Sequence, residues 1–193
     1  MVIYLNTDPG SLDVGKALER VSLQRREHAL QYVKESDRQL SLAAYLLLME
    51  ALKKEFGITE PPVFGFGPHG KPFLQDAPRI HFNLSHCPGA TLCVVADSPV
   101  GCDVENVPEQ PDPDLLRTVC NASEVAAVLQ SSSPALAFTR LWTQKEAFLK
   151  YTGEGISPDL QDILLSPRAK ALRFQTTDAP DGSYVYTVVQ TAE

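Results

Sequence analysis

The hydrophobic residues of the chain recur with two periods, one typical of helices and one typical of strands. Residues 37–56 carry Leu and Ala around most of a helical circumference, which predicts a helix buried at the centre of the fold and ended by Gly57. Residues 14–33 and 135–151 are also predicted to be helical, and Gly153 supplies a stop signal after the second of them.

Short apolar runs between turn-forming residues predict strands. The predicted strands cover residues 1–5, 80–84, 91–96, 100–106, 160–166, 171–175 and 184–190, with Asp181 and Gly182 at a hairpin turn. A helix followed by strands occurs in each half of the chain. We therefore expect an α+β fold with small antiparallel sheets, divided into an N-terminal half (residues 1–98) and a C-terminal half (residues 99–193).

The strand at residues 100–106 carries the first candidate chemistry. Its small apolar residues alternate with polar ones, which places Asp103 and Glu105 on one face, about 6–7 Å apart. Two neighbouring carboxylates repel each other, and Mg²⁺ resolves that repulsion while leaving positions for water and phosphate oxygens. A solvated strand face is the alternative interpretation.

A second set of polar residues lies on the helix predicted at residues 135–151. Trp142, Glu146 and Lys150 are spaced four apart and therefore share one face. A carboxylate and an ammonium group beside Asp103 and Glu105 would provide the parts of a metal–phosphate site. The alternative is an exposed ion pair between Glu146 and Lys150.

Composition narrows the classes of function. The chain has 193 residues, 44% of them hydrophobic, enough for one substantial core or for two small halves packed together. A formal net charge of −7 argues against nonspecific nucleic-acid binding. The four cysteines form no Cys-x-x-Cys pair, no signal peptide is expected, and the longest apolar run is too short to span a membrane. These features predict a cytoplasmic protein with reduced cysteines.

Four local motifs, in this order and at these spacings, resemble those of the 4′-phosphopantetheinyl transferase superfamily. They are residues 70–72 (Gly-Lys-Pro), 82–86 (Phe-Asn-Leu-Ser-His), 101–105 (Gly-Cys-Asp-Val-Glu) and 142–150 (Trp-Thr-Gln-Lys-Glu-Ala-Phe-Leu-Lys). The resemblance covers roughly residues 3–157 and is to the larger monomeric type that activates surfactin-synthetase-like assembly lines. It implies an α+β fold of two similar halves related by a pseudo-twofold axis, with the active site between them.

The resemblance also implies an activity. The family moves the phosphopantetheine arm of coenzyme A onto a serine of an apo acyl or peptidyl carrier protein and releases adenosine 3′,5′-bisphosphate. This implies a holo-[acyl-carrier-protein] synthase type enzyme that uses Mg²⁺, with Mn²⁺ as a substitute. Because the attacking serine belongs to the carrier protein, no internal nucleophile is needed, and the chain has neither a Gly-x-Ser-x-Gly motif nor a Walker-type loop.

Roles for individual residues follow from the same resemblance. The implied metal ligands are Asp103, Glu105 and Glu146. The implied coenzyme A ligands are Lys150 and His86 at the pyrophosphate, Lys71 and Ser85 at the 3′-phosphate side, and a basic residue near Arg26. Glu146 is the expected acceptor of the serine proton.

Several alternatives remain open at this stage. Lys71 and Ser85 also fit simple roles in turns, and His86 also fits a structural role. Glu124 lies either near the metal or in a helix cap that it forms with Asn121. For the whole chain, the alternatives are a non-catalytic coenzyme A or carrier-protein binding module and a metal-dependent nucleotide phosphohydrolase.

Overall fold

The computed structural model describes residues 1–155 and 159–192, and these form a mixed fold of helices and small antiparallel sheets. The strands are β1 (Val2–Asn6), β2 (Phe64–Phe66), β3 (Pro72–Leu74), β4 (His81–Cys87), β5 (Ala90–Ala96), β6 (Val100–Asn106), β7 (Leu172–Asp178) and β8 (Tyr184–Thr191). The helices are α1 (Val14–Arg20), α2 (Leu23–Leu30), α3 (Glu35–Phe56), α4 (Pro113–Val119), α5 (Ala122–Gln130), α6 (Pro134–Thr152) and α7 (Pro167–Lys170). Two short 3₁₀ helices lie at Pro9–Ser11 and Leu160–Leu165.

Two three-stranded antiparallel sheets organise these elements. The first has the strand order β1-β5-β4 and packs against α3, and the second has the order β6-β8-β7 and packs against α6. Strands β2 and β3 form a separate short ladder. The predicted α+β class with small antiparallel sheets is confirmed, while the division of the chain into halves at residues 98 and 99 stays a prediction.

The core has two layers because β5 is buried on both of its faces. Cys93 and Val95 pack with the apolar side of α3, including Leu48. Leu92 and Val94 point the other way and pack with β6 and β8, at residues such as Cys102 and Val188. A strand buried on both faces is expected to be almost entirely apolar, and in β5 only Thr91 departs from this.

The long helix α3 is positioned as its sequence predicts. Leu42, Leu48 and Leu52 are almost completely buried, and Gly57 ends the helix at a φ of 71°, in the left-handed region that glycine adopts without strain. In the parts of the chain that the structure describes, this helix and every other fall short of the length and apolarity that crossing a membrane requires.

The structure differs from the predicted elements in several places. Residues 14–33 form two helices, because the Ser22 hydroxyl accepts a hydrogen bond from the Arg25 amide and starts α2. The strand predicted at residues 160–166 is wrong: this segment is largely a 3₁₀ helix. Helix α4, capped by Asp112, has no counterpart among the predicted elements.

Candidate active site

A cavity of about 690 Å³ lies where the two sheets and their helices meet. Helices α2 and α3 and the strand β4 form one side of it, and β6 and α6 form the other. Most of the ionisable residues around it fall into two groups by charge. A basic group contains Arg25, His28 and His86, and an acidic group contains Asp103, Glu105 and Glu146, with Lys150 and Ser85 beside them. The carboxylate of Glu27 on α2 lies on the same side as the basic group.

Asp103 is the best-buried carboxylate of this cavity, with 2% of the residue exposed. Its Oδ1 accepts hydrogen bonds from the Ser85 hydroxyl at 2.8 Å and from the Lys150 ammonium at 2.6 Å. Its Oδ2 is also buried but accepts no hydrogen bond from the described residues. One carboxylate oxygen is therefore held by the protein, and the other remains available to a ligand that offers positive charge.

The other two carboxylates, Glu105 and Glu146, lie close enough to Asp103 for its charge to raise their pKa values. Burial and the neighbouring Asp103 raise the pKa of Glu105 to about 7, against the attraction of Lys150 and a hydrogen bond to Trp142. Burial and Asp103 also raise the pKa of Glu146. The cluster therefore carries more carboxylate charge than the protein alone compensates.

Lys150 is the cation that the fold places against these carboxylates. Burial alone would lower its pKa, but Asp103 outweighs that effect and the pKa is raised, so the side chain stays charged. Its Nζ also donates to the Ser85 hydroxyl at 2.9 Å. Ser85 and Lys150 together fix the orientation of Asp103, one from β4 and the other from α6.

Gly101 allows the helix and the strand to approach closely enough for this contact. A Cβ atom at this position would lie 2.2 Å from the Ala147 carbonyl oxygen and 2.4 Å from the Tyr151 amide nitrogen, both on the backbone of α6. Because backbone atoms of a packed helix cannot move aside cheaply, any side chain here would push α6 off β6.

The basic group lies on the other side of the cavity. The Arg25 guanidinium is held by the hydroxyl and the carbonyl of Ser41, while its buried Nε has no partner among the described residues. Burial lowers the pKa of His28, and nearby Arg25 adds to the effect. Burial and the charges of Lys150 and Arg25 lower the pKa of His86. Two neutral imidazoles beside a guanidinium provide donors suited to a phosphate group.

Two of the residues predicted to bind coenzyme A do not lie in this cavity. The Arg26 side chain is exposed and its Nε donates to the Leu18 carbonyl oxygen at 2.9 Å. The Lys71 ammonium donates to the carbonyl oxygens of Val100 at 3.1 Å and Tyr151 at 2.9 Å. The structure thus brings together six of the predicted site residues and leaves Arg26 and Lys71 outside.

Helix periodicity explains why Arg25 lines the cavity instead of Arg26. Once Ser22 starts α2, Arg25 and His28 are three residues apart and face the same way, with Gln24 beside them. Sequence reasoning missed both residues because it placed one unbroken helix across residues 14–33. The capping signal at Ser22 was the observation that could have revealed them.

Glu124 has a structural role at the start of α5. Its Oε2 accepts a hydrogen bond from the backbone amide of Asn121 at 3.0 Å, which completes a capping box there. The same oxygen accepts from the Lys145 ammonium at 2.8 Å. Lys145 is fully buried and also donates to three backbone carbonyls, those of Val119, Leu160 and Gln161. This network ties α4, α5 and the second 3₁₀ helix to α6.

The acidic group suits a hard divalent cation in its chemistry. Asp103, Glu105 and Glu146 offer carboxylate oxygens, the ligands that Mg²⁺ prefers, and the unpartnered Oδ2 of Asp103 is one such donor. Within residues 1–155 and 159–192, however, no three Asp, Glu, His or Cys side chains converge closely enough to define a metal site. Mutual repulsion of the carboxylates is a sufficient physical reason.

Comparison with known proteins gives the family of the chain. A sequence model of the 4′-phosphopantetheinyl transferase superfamily matches residues 99–190. A 4′-phosphopantetheinyl transferase of Bacillus subtilis is 27% identical over 184 residues, which cover 93% of this chain and 80% of the relative. The 4′-phosphopantetheinyl transferase psf-1 of Bacillus pumilus is 32% identical over 168 residues, 83% of this chain and 71% of the relative. The chain belongs to the 4′-phosphopantetheinyl transferase superfamily.

Proposed function

We propose that this protein transfers the 4′-phosphopantetheine arm of coenzyme A to a serine of an apo acyl or peptidyl carrier protein. The observation that carries the proposal is one cavity with Arg25, His28 and His86 on one side and three carboxylates with Lys150 on the other. Family membership supports the same reaction. The serine oxygen forms a bond to the phosphorus next to the pantetheine arm, and the bond to the bridging oxygen breaks. Adenosine 3′,5′-bisphosphate leaves with that oxygen.

The basic group would hold the phosphate groups of coenzyme A. His86 and Lys150 face the cavity and are assigned to the pyrophosphate, in keeping with the motifs that contain them. Arg25 takes the role that the sequence suggests for Arg26, because it faces the cavity and a guanidinium binds phosphate oxygens in pairs. Ser85 would act mainly by orienting Asp103 and Lys150, to which it is already hydrogen-bonded.

The acidic group would hold Mg²⁺ through Asp103, Glu105 and Glu146. When bound, the ion supplies positive charge that offsets the negative charge on the pyrophosphate and on the departing bisphosphate. Without such charge, three carboxylates would repel a substrate that is itself an anion. Their presence beside Lys150 is therefore hard to explain for a binding module that uses no cation.

Glu146 would accept the proton of the attacking serine. A general base works best when its pKa lies near the working pH, and burial together with Asp103 raises the pKa of Glu146 in that direction. Its place on α6, one turn before Lys150, lets the same helix present the base and a phosphate-binding cation. The proton that leaves the serine thus stays on a side chain at the cavity.

One chain contributes both sides of this cavity, so we propose that the protein is active as a monomer of the holo-[acyl-carrier-protein] synthase type, acting in the cytoplasm. His86 and Arg25 come from the first half of the sequence, and Glu146 and Lys150 from the second. Sedimentation at assay concentrations should give the mass of one chain, with specific activity independent of dilution. An obligate oligomer that loses activity on dilution would contradict the monomer.

The reaction class is tested by mass spectrometry of a purified apo carrier protein. After incubation with this protein, coenzyme A and Mg²⁺, the carrier should gain the mass of one phosphopantetheine group, and a carrier with its acceptor serine changed to alanine should gain nothing. An unmodified carrier, with coenzyme A bound but not consumed, would support a binding module. Hydrolysis of coenzyme A without any carrier would support a phosphohydrolase.

A further inference from the structure

The outer edge of β6 is satisfied in an unusual way. This strand pairs with β8 on one side, and on the other side it runs beside β4, with which it forms no backbone ladder in the described residues. Two of its amides donate to side chains of β4 instead. The Cys102 amide donates to Asn83 Oδ1 at 2.8 Å, and the Val104 amide donates to the Ser85 hydroxyl at 3.3 Å.

The spacing of these two bonds fixes how the strands are aligned. Alternate amides of a strand point the same way, so Cys102 and Val104 present donors two residues apart. Asn83 and Ser85 are also two residues apart on β4, and both are buried. A slip of β6 by one residue would break both bonds and its ladder with β8, and it would turn Asp103 to the opposite face.

We propose that Asn83 is a positioning residue that sets the register of β6 against β4 and so aims Asp103 at Ser85 and Lys150. The inference rests on the proposed function only for its effect on the reaction. Asn83 lies outside the cavity described above, but its acceptor oxygen is bonded to the residue directly before Asp103. Its loss would also leave a buried amide without a partner, which favours movement of the strand.

Ser85 alone does not supply this alignment. Its hydroxyl is shared among the Asp103 carboxylate, the Lys150 ammonium and the Val104 amide, and the last of these contacts is the longest, at 3.3 Å. Asn83 makes the shorter bond to the strand, at 2.8 Å, and its acceptor is not shared with the cavity residues. We therefore expect the alignment of β6 against β4 to depend more on Asn83 than on Ser85.

The test compares Asn83→Ala with a matched control, Asn106→Ala. The Asn106 Oδ1 also accepts a backbone amide hydrogen bond across the two sheets, from Gly89 at 3.1 Å, but at the far end of β6 from Lys150. A third variant, Asn83→Asp, keeps an acceptor oxygen of the same reach. All three are measured in the 193-residue chain, with folding monitored by circular dichroism.

Residue-resolved amide hydrogen exchange is the first measurement, because it does not depend on activity. In Asn83→Ala, exchange at both Cys102 and Val104 should become at least tenfold faster. In Asn106→Ala and in Asn83→Asp, both amides should exchange at nearly the parent rate. Faster exchange at Cys102 alone would show that one bond was lost while the register was kept, and would overturn the proposal.

Steady-state kinetics are the second measurement. Asn83→Ala should lower kcat at least tenfold and should also raise the KM for coenzyme A, since a displaced Asp103 no longer holds Lys150 or contributes to the proposed Mg²⁺ site. Asn106→Ala should change neither kcat nor KM. An equal loss of kcat in Asn83→Ala and Asn106→Ala would contradict a positioning role.

If Asn83→Ala does not fold, Asn83→Asp is the deciding variant. Slow exchange at the Cys102 and Val104 amides supports the proposal, and fast exchange at these amides rejects it. A parent protein without transferase activity would reject the proposed function, while the exchange data would still decide the register.

Discussion

The two sides of the cavity differ in how complete they are. The basic side has its guanidinium anchored by Ser41, and burial lowers the pKa values of its two imidazoles. The acidic side has one carboxylate anchored by Lys150 and two whose pKa values are raised by burial and by the charge of Asp103. We therefore expect the basic side to bind an anion without an added ion, and the acidic side to need added positive charge before it can accept an anionic substrate.

The largest effect is expected at the anchored carboxylate. Asp103→Ala should lower kcat by about a thousandfold, because it removes a proposed metal ligand and leaves Lys150 without its closest partner. Asp103→Asn is the matched control, since it keeps the size of the side chain and an acceptor for Ser85. Equal kcat values for the parent and Asp103→Asn, measured with a carrier-protein transfer assay at low Mg²⁺, would contradict the assignment.

The next effects separate two residues of α6. Glu146→Gln should lower kcat by about a hundredfold with little change in the KM for coenzyme A, because it removes the proposed base. Lys150→Ala should lower kcat and also raise that KM about tenfold, because the pyrophosphate is charged in the bound substrate as well as in the transition state.

A thermal melt of both variants is the control. If the two residues were only an exposed helix pair, each variant would lose about 0.3–0.5 kcal/mol of stability and no activity. Unchanged kinetics in either variant would remove the role proposed for that residue.

A smaller effect distinguishes neighbouring arginines on α2. Arg25→Ala should raise the KM for coenzyme A about tenfold, because its guanidinium lines the cavity. Arg26→Ala should leave it within twofold, because that side chain is exposed and bonded to Leu18. The reverse result would favour Arg26 as the coenzyme A ligand, as the sequence suggests.

Lys71 provides a further contrast with Arg25. If Lys71 binds the 3′-phosphate, Lys71→Ala should narrow the difference in KM between coenzyme A and its 3′-dephospho form. Because its ammonium bridges the backbones of β6 and α6, we expect both substrates to be weakened equally and the Tm to fall.

The smallest effect concerns stability and pH. The pKa of Glu105 is raised to about 7, so between pH 4.5 and 7 the folded protein keeps a proton that the unfolded chain releases. This contribution to stability is present at low pH and is lost as the pH rises through 7. With a chelator present, Glu105→Gln should therefore have a Tm about 7 °C above the parent at pH 8, and no advantage below pH 4.5. An advantage that grows at low pH would contradict the raised pKa.

Much of the fold could be predicted from the sequence where local signals agree with burial. The apolar circumference of α3, the alternation along β6 and the glycine after α6 each gave an element that the structure confirms. The failure at residues 160–166 has a physical reason: a short apolar run fits a strand, but here it packs in the cluster of Ile163 and Phe148 as a 3₁₀ turn.

The residues of the candidate site could be predicted from the sequence to about the same extent as the fold. Residues on regular strands and helices, such as Asp103 and Lys150, follow from periodicity and meet in the cavity. Arg25, Asn83 and Gly101 were harder to assign, because their importance comes from contacts with distant elements: Ser41 on α3, Cys102 on β6 and Ala147 on α6. Asn83 and Gly101 do lie in the sequence motifs, but the contacts they make depend on tertiary packing and do not follow from local periodicity.

The difference between the two sides is tested most directly by the affinity of coenzyme A with and without Mg²⁺, measured by isothermal titration calorimetry. The parent should bind weakly in the presence of a chelator and at least tenfold more tightly with Mg²⁺. Asp103→Ala should bind coenzyme A as weakly as the parent does with a chelator, and Mg²⁺ should not raise its affinity. Arg25→Ala should bind coenzyme A more weakly than the parent both with the chelator and with Mg²⁺. Affinity in the parent that is independent of Mg²⁺, or a full gain in Asp103→Ala, would contradict the roles given to the two sides.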